Sequence, residues 1–258
     1  MSCLESDSER VEKLFFDLAS ESRMGIMRGL NQKNLKMQEI GRNLDLSATE
    51  TFRQLQKLSE DLLISKNVEG SYSLTWYGKF VLFLCPSFEF LLKHRQYFLE
   101  HDVWDLPQEF LYRIGELSGA ELRLEIPENL NQVEEIIQNA QEYLWTLTNR
   151  ILSAYTRAMA ERCRNGLKYR ALLHQDLLST ITTDPEIEQC IERRYLPQTP
   201  AIVVITEKEA VIAFPFINGK SDYAAFFGND AAFRKWVTDL YGHYWVQGKI
   251  WHANSATR

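Results

Sequence analysis

Cysteine is scarce, and the four that occur, Cys3, Cys85, Cys163 and Cys190, lie far apart with no Cys-x-x-Cys pair. That spacing fits neither a disulfide framework nor a zinc cluster, so the four read as reduced thiols, with a redox pair among them as the alternative. Long apolar runs are also missing. The longest, Phe80 to Leu92, is broken by Pro86, Ser87 and Glu89, well short of the roughly 20 uninterrupted residues that cross a bilayer. The first residues carry Glu5, Asp7 and Glu9 with no apolar stretch behind them, so a secretory signal is not expected and the cytoplasm is the expected location. Glycine (12) and proline (7) are few among 258 residues, which excludes low-complexity and collagen-like chains. No G-x-S-x-G, P-loop, G-x-G-x-x-G or H-E-x-x-H run occurs, and the five histidines show no metal-ligand spacing. Neither a metal nor a cofactor is expected.

What remains is an ordinary globular composition, 45% hydrophobic and 25% charged, enough for one large core or two smaller ones. The net charge of −6 is uneven: residues 1–80 sum to −1 and residues 81–258 to −5. Within 21–60 the balance reverses, with seven basic residues against five acidic ones. A weakly basic segment of this size suits nucleic acid and equally suits a solvated helix surface.

The spacing of apolar residues decides between them. Val11, Leu14, Phe15, Leu18, Ile26, Met27 and Leu30 recur at helical intervals, and Ser6 with Glu9 forms a capping box in front of them. A short second helix fits Met37 to Leu44, with Ile40 and Leu44 inward. Ser47-Ala48-Thr49-Glu50 is a second capping box and opens a third helix to about Asp61, whose inward line is Thr51, Leu55, Leu58 and Leu62. Leu63 to Lys66 and Ser71 to Thr75 then read as a hairpin turning at Gly70. On the third helix, Thr49, Phe52, Arg53, Gln54 and Lys57 are left on the other faces. Guanidinium and amide groups make the paired hydrogen bonds that distinguish guanine and adenine in the major groove, while lysines neutralise phosphates. The predicted DNA contacts are Lys36, Gln38, Ser47, Thr49, Phe52, Arg53, Gln54, Lys57, Lys66 and Tyr72.

Helix, helix, turn, capped helix and hairpin in this order resemble the winged helix-turn-helix of arsenical-repressor-like regulators. The resemblance rests on Leu46-Ser47, Arg53-Gln54-Leu55, Lys57-Leu58, Leu62-Leu63-Ile64 and Leu74-Thr75 with Gly78. The metal-binding cysteine pair of that family is missing from the third helix. A second resemblance lies in His101-Asp102 through Leu106-Pro107 to Leu111-Tyr112-Arg113-Ile114-Gly115-Glu116-Leu117, which is similar to the opening of the middle domain of archaeal methanogenesis-regulatory winged-helix proteins. It extends to the last helix, Asn229 to Tyr241, and implies a transcription regulator of archaeal energy metabolism with double-stranded DNA as partner.

The expected fold class is α+β, a winged helix-turn-helix over 1–80 followed by an α/β mixed-sheet domain over 101–258. Residues 81–100, apolar and broken by Pro86, are expected as a helical linker and homodimer contact. Strand and helix patterns alternate after Glu121, with a strand at Leu122 to Ile126, a helix from Gln132 to Gln141, the apolar Tyr143 to Thr148, a helix from Ile151 to Arg164, a strand at Leu167 to Leu173, a hairpin over 201–214 and a strand at Tyr223 to Phe227. This layout resembles the phospholipase-D-like fold, but its H-x-K-x-x-x-x-D motif is absent: His174-Gln175-Asp176 has no lysine two positions on. The chain is therefore not expected to be an enzyme. Arg150, Arg170 and Arg194 fall near element ends, where α/β sheets place ligand crevices, and they suit a small anionic effector or, equally, surface ion pairs. The rival readings are a winged-helix adaptor that binds a protein partner and an α/β hydrolase using His174.

Overall fold

The helical repeat over 8–30 resolves into two helices in the computed structural model, which describes residues 7–151, 155–181 and 185–251. These are α1 (Asp7–Leu18) and α2 (Glu21–Gln32). Ser20 ends the first register: its hydroxyl accepts from the amide of Arg23 at 3.4 Å and starts α2 afresh. Ser6 of the predicted capping box, and Cys3, lie outside the described residues. Next come β1 (Leu35–Lys36), α3 (Met37–Asn43) and α4 (Ala48–Glu60), with Asp45 in the left-handed region (φ 52°) at the turn between the two helices. The hairpin is β2 (Ile64–Lys66) and β3 (Ser71–Leu74), and β1 pairs with β3 to complete a three-stranded sheet in the order β1-β3-β2. Gly70 supplies the positive φ (81°) that the turn requires. Ile26, Met27, Ile40, Leu55, Leu58 and Leu63 form the core under this wing.

The chain divides at Pro86 into units of residues 1–86 and 87–258, and α5 (Trp76–Lys93) carries it from one to the other. Proline was expected to break this stretch, yet Pro86 lies inside the helix. It removes one backbone hydrogen bond, and the burial of Val81 in the first core and Phe90 in the second holds the helix on either side. The segment over 81–100 thus contributes Val81 to one core and Phe90 to the other. Tyr97, in α6 (Arg95–Glu100), is likewise a core residue of the second unit.

The second unit continues with α7 (Gln108–Tyr112), β4 (Glu121–Arg123), α8 (Ile126–Asn139), β5 (Tyr143–Thr148), α9 (Thr156–Arg164), β6 (Lys168–His174) and α10 (Pro185–Glu188). Then come β7 (Ile191–Leu196), β8 (Ile202–Thr206), β9 (Ala210–Ala213), β10 (Ala225–Gly228), α11 (Ala231–Gln247) and β11 (Lys249–Trp251). Its eight strands form one sheet in the order β11-β7-β6-β5-β8-β9-β10-β4, parallel across β5-β6-β7 and antiparallel elsewhere. Alternate residues face opposite layers. Trp145, Leu147, Leu172 and Phe226 pack towards Trp236, Val237 and Tyr241 of α11. Leu144, Ala171, Val204 and Phe227 pack towards Ile136 and Ile137 of α8 and Ala158 of α9. The fold is thus a winged helix followed by an α/β mixed-sheet unit.

Several local expectations are corrected. The strand over 122–126 stops at Arg123, because Pro127 is compatible with a helix start and Ile126 already belongs to α8. Cys163 and Cys190, read as free thiols, are joined by a disulfide with Cα atoms 5.6 Å apart, within the range that such a bond spans. Cys85 is buried outside the disulfide, and its thiol donates to the Val81 carbonyl at 3.4 Å. No helix among the described residues is long and apolar enough to cross a membrane.

Candidate nucleic-acid interface

The third helix of the winged helix, α4, begins at a cap that the sequence specifies. Ser47 accepts from the amide of Glu50 at 3.1 Å and Thr51 donates its hydroxyl to the Ser47 carbonyl at 2.8 Å. The reciprocal half of the box is not formed. The Glu50 carboxylate turns instead to Arg53 at 2.9 Å and Gln54 at 2.5 Å, and these two hydrogen bonds, Arg53 first, hold Glu50 below its ordinary value.

Thr51, Leu55 and Leu58 face inward as expected, whereas Leu62 is 69% exposed. α4 ends at Glu60, and Leu62 follows with φ 59°, which takes it off the helical line. Gln54 is buried. Its carbonyl oxygen accepts from Arg23 Nη1 at 3.0 Å, and Arg23 also donates to the carbonyls of Asp17 and Phe16. Gln54 therefore ties α2 to α4 and does not face solvent, contrary to its assignment as a DNA contact. Lys57 is partly buried and engaged within the unit: its ammonium sits 3.0 Å from Asp61 and 3.6 Å from Asp17. Tyr72 is 8% exposed and belongs to the core, with Lys66 stacked over its ring at 5.6 Å.

The remaining candidates are exposed: Lys36, Gln38, Ser47, Thr49, Phe52, Arg53 and Lys66. On α4 the exposed line is Thr49, Phe52, Arg53 and Gln56, spaced three and four residues apart. Gln56, which the sequence reading passed over, takes the place it gave to Gln54. Arg53, with its side chain 72% exposed, is bonded to Glu50 alone among the described contacts of its guanidinium. Arg42 near the end of α3 and Lys66 at the wing add exposed cations.

In the second unit the three predicted ligand arginines do not converge. Arg150 follows β5 and lines a cavity under α8 and α9. Arg170 and Arg194 lie on the α11 face of the sheet. Arg170 packs on Trp145 and Trp245 at 5.5 and 5.3 Å and pairs with Glu192 at 3.4 Å. Arg194 stacks over Trp245 at 4.6 Å and donates to its carbonyl at 3.0 Å. Arg193, not singled out from the sequence, is the arginine that faces the cavity alongside Arg150.

No protein-family model matches the sequence, and no curated protein is recognisably similar to it. Among solved structures the chain is similar to TrmBL2, an archaeal chromatin protein with a novel mode of DNA binding, at 15% identity over 95% of this chain and 99% of that one, with a TM-score of 0.44. It is similar to reduced HlyU from Vibrio cholerae at 26% identity over 35% of this chain and 92% of that one, with a TM-score of 0.28. It is also similar to Nuc, a phospholipase D family member from Salmonella typhimurium, at 13% identity over 49% of this chain and 94% of that one, with a TM-score of 0.39. Each is a distant likeness.

Proposed function

We propose that the chain is a transcription regulator that binds double-stranded DNA by laying α4 in the major groove. The exposed line Thr49, Phe52, Arg53 and Gln56, on a helix whose inner side is tied down by Gln54, carries this reading. Arg53 suits the paired acceptors of guanine, Gln56 the donor and acceptor of adenine, and Phe52 the methyl group of thymine. Lys36, Arg42 and Lys66 are placed for phosphates. The Arg53–Glu50 pair is exposed, so exchanging Glu50 for a base edge costs little.

Trp76 and Phe83 on α5 are 84% and 75% exposed, with Phe80 between them at 64%. Contiguous apolar exposure of this kind supports a two-fold dimer presenting two α4 helices about 34 Å apart. The resemblance over 101–117 supports control of archaeal energy metabolism, in the cytoplasm. The second unit is proposed to bind rather than to turn over a substrate. Its His174 lacks the lysine of the phospholipase-D motif. His101 is fully engaged, with Nδ1 on the Tyr97 carbonyl at 2.7 Å and Nε2 on Asp222 at 2.8 Å.

The test is a fluorescence-anisotropy titration of the full chain against its own upstream DNA and a scrambled duplex, across a salt series. Tight binding that prefers the upstream duplex is expected, and Arg53→Ala should remove about 1–3 kcal/mol of that preference. Equal, salt-insensitive binding to both duplexes refutes the regulator and favours the protein-binding adaptor.

A further inference from the structure

The α/β unit has a cavity of about 150 Å³ between one face of its sheet and helices α8, α9 and α10. Its origin is legible in the register. Ala171 on β6 lies beside Thr146 on β5, and Ala213 on β9 and Ala225 on β10 also line the space. Small side chains on four strands thus lie under the helices. A void of this size with apolar walls accommodates a single aromatic ring, and leaving it unfilled is costly.

Two residues that line this cavity each carry a buried polar atom with no hydrogen-bond partner among the described residues, Asn129 Oδ1 and Tyr223 Oη. Asn129 is 2% exposed. Its Nδ2 donates to the carbonyls of Arg123 at 2.9 Å and Tyr223 at 2.8 Å, and two carbonyl acceptors fix which end of the amide is nitrogen. The oxygen is therefore a committed acceptor with nothing to accept. Tyr223 contributes a hydroxyl that is both donor and acceptor. Buried groups of this kind are almost always satisfied.

The charged lining points to a neutral guest. Arg193, 8% exposed, is neutralised within the unit by Glu188 at 2.6 Å. Arg150, the other cation, is exposed at the rim. Other polar lining groups are engaged: the Tyr155 hydroxyl donates to the Leu130 carbonyl at 3.0 Å, Thr148 donates to the Arg150 carbonyl at 2.8 Å, and Thr146 and Tyr169 bond each other at 3.2 Å.

We propose that this cavity binds a small neutral molecule with an apolar body of about one ring and a single hydroxyl group, which donates to Asn129 Oδ1 and accepts from Tyr223 Oη. The site is independent of the DNA-binding reading.

The test is isothermal titration calorimetry of the full chain, without DNA, against p-cresol, toluene and 4-methylbenzoate. In a wholly apolar cavity toluene binds more tightly than p-cresol, because the hydroxyl loses water with no return. Here p-cresol is expected to bind at one site and more tightly than toluene. Tyr223→Phe, which keeps the ring, should weaken p-cresol about ten-fold and spare toluene. Ala171→Leu fills the space and should abolish binding of both, with an unchanged circular dichroism spectrum showing that it folds. Tighter binding of toluene or of 4-methylbenzoate overturns the proposal, as does p-cresol binding that survives Ala171→Leu. Binding of none of the three overturns it too, leaving water as the partner of the two orphan atoms. Because no arm contains DNA, each outcome leaves the regulator reading to its own titration.

Discussion

Lys57→Met separates a DNA contact from an internal tie on the same helix. The Lys57 ammonium lies 3.0 Å from Asp61 and 3.6 Å from Asp17, whose side chains are 10% and 0% exposed. Burial alone would push the ammonium down, but the hydrogen bond and charge of Asp61, with those of Asp17, outweigh it and hold Lys57 above its ordinary value. Burial, together with the adjacent Asp61, pushes Asp17 up. With Lys57 gone, the cation that Asp17 keeps among the described residues is Arg23 at 3.6 Å, and Asp61 keeps Lys13 at 3.3 Å. Removing one partner of a buried ion pair costs about 3–5 kcal/mol. Lys57 is 31% exposed and two cations remain, so roughly half of that, about 2 kcal/mol, is expected. In a unit of this size each kcal/mol moves the midpoint by about 4–8 °C, so its melting should fall by about 8–16 °C. Calorimetry of the full chain reads that fall, and a salt series of DNA affinity should keep its slope. A slope reduced by about one with melting unchanged would show that Lys57 contacts a phosphate, and the assignment of the tie would be wrong.

Three further outcomes follow from single side chains. The Glu207 carboxylate accepts from the amides of Gln141 at 3.0 Å and Glu142 at 3.3 Å; burial alone would raise it, but its own backbone amide, with these donors, holds it below its ordinary 4.5. Its stabilisation is therefore complete above about 4.5 and lost as pH falls through the lowered value, so Glu207→Gln should cost about 1–2 kcal/mol in urea at neutral pH and progressively less as the pH is taken below that value. Asp222→Ala strips the buried His101 of its partner and the Tyr223 amide of its acceptor, for about 3–5 kcal/mol of stability in urea melts, whereas Asp222→Asn keeps an acceptor and should cost about 1–2. Gly78→Ala would drive a Cβ into the Leu63 carbonyl at the foot of the wing, while Gly242 in α11 faces open space. The first should lower the melting point by at least the effect of about 1–3 kcal/mol, and Gly242→Ala should raise it slightly.

How much of this was legible in the sequence differs by element. α4 and its cap were, because Ser47 and Glu50 lie three residues apart and Thr51, Leu55 and Leu58 mark one face. The wing was too, since Gly70 and the alternation of Ser71 to Leu74 are local signals. Two strands of the second unit were missed. β11 has three residues, too few for a period, and β7 interleaves Arg193 and Arg194, which look like surface until Glu188 and Trp245 are found beside them.

The errors at the two sites share one cause, a polar residue at an angular boundary. On α4, Gln54 sits one step round from the line of Thr51 and Leu58, so helical geometry alone permits it to face either way. Arg23, 31 residues earlier, decides that it faces inward, and no pattern within α4 encodes that. Its neighbour two places on, Gln56, inherits the exposed position. Asn129 poses the same problem in reverse. It stands four residues before Val133 and seven before Ile136, in the place of an apolar residue on the buried stripe of α8. A lone amide in an apolar repeat is a usable signal, because burying it needs partners. Two of its partners are backbone carbonyls of Arg123 and Tyr223, and the second is 94 residues away. The disulfide obeys the same logic: Cys163 and Cys190, 27 positions apart, are brought together because β6 and β7 run parallel, which returns the chain through α10 to the same end of the sheet. A residue's type marks these positions as unusual, and only the topology says which neighbour makes each one a tie, a reading group or an unfilled acceptor.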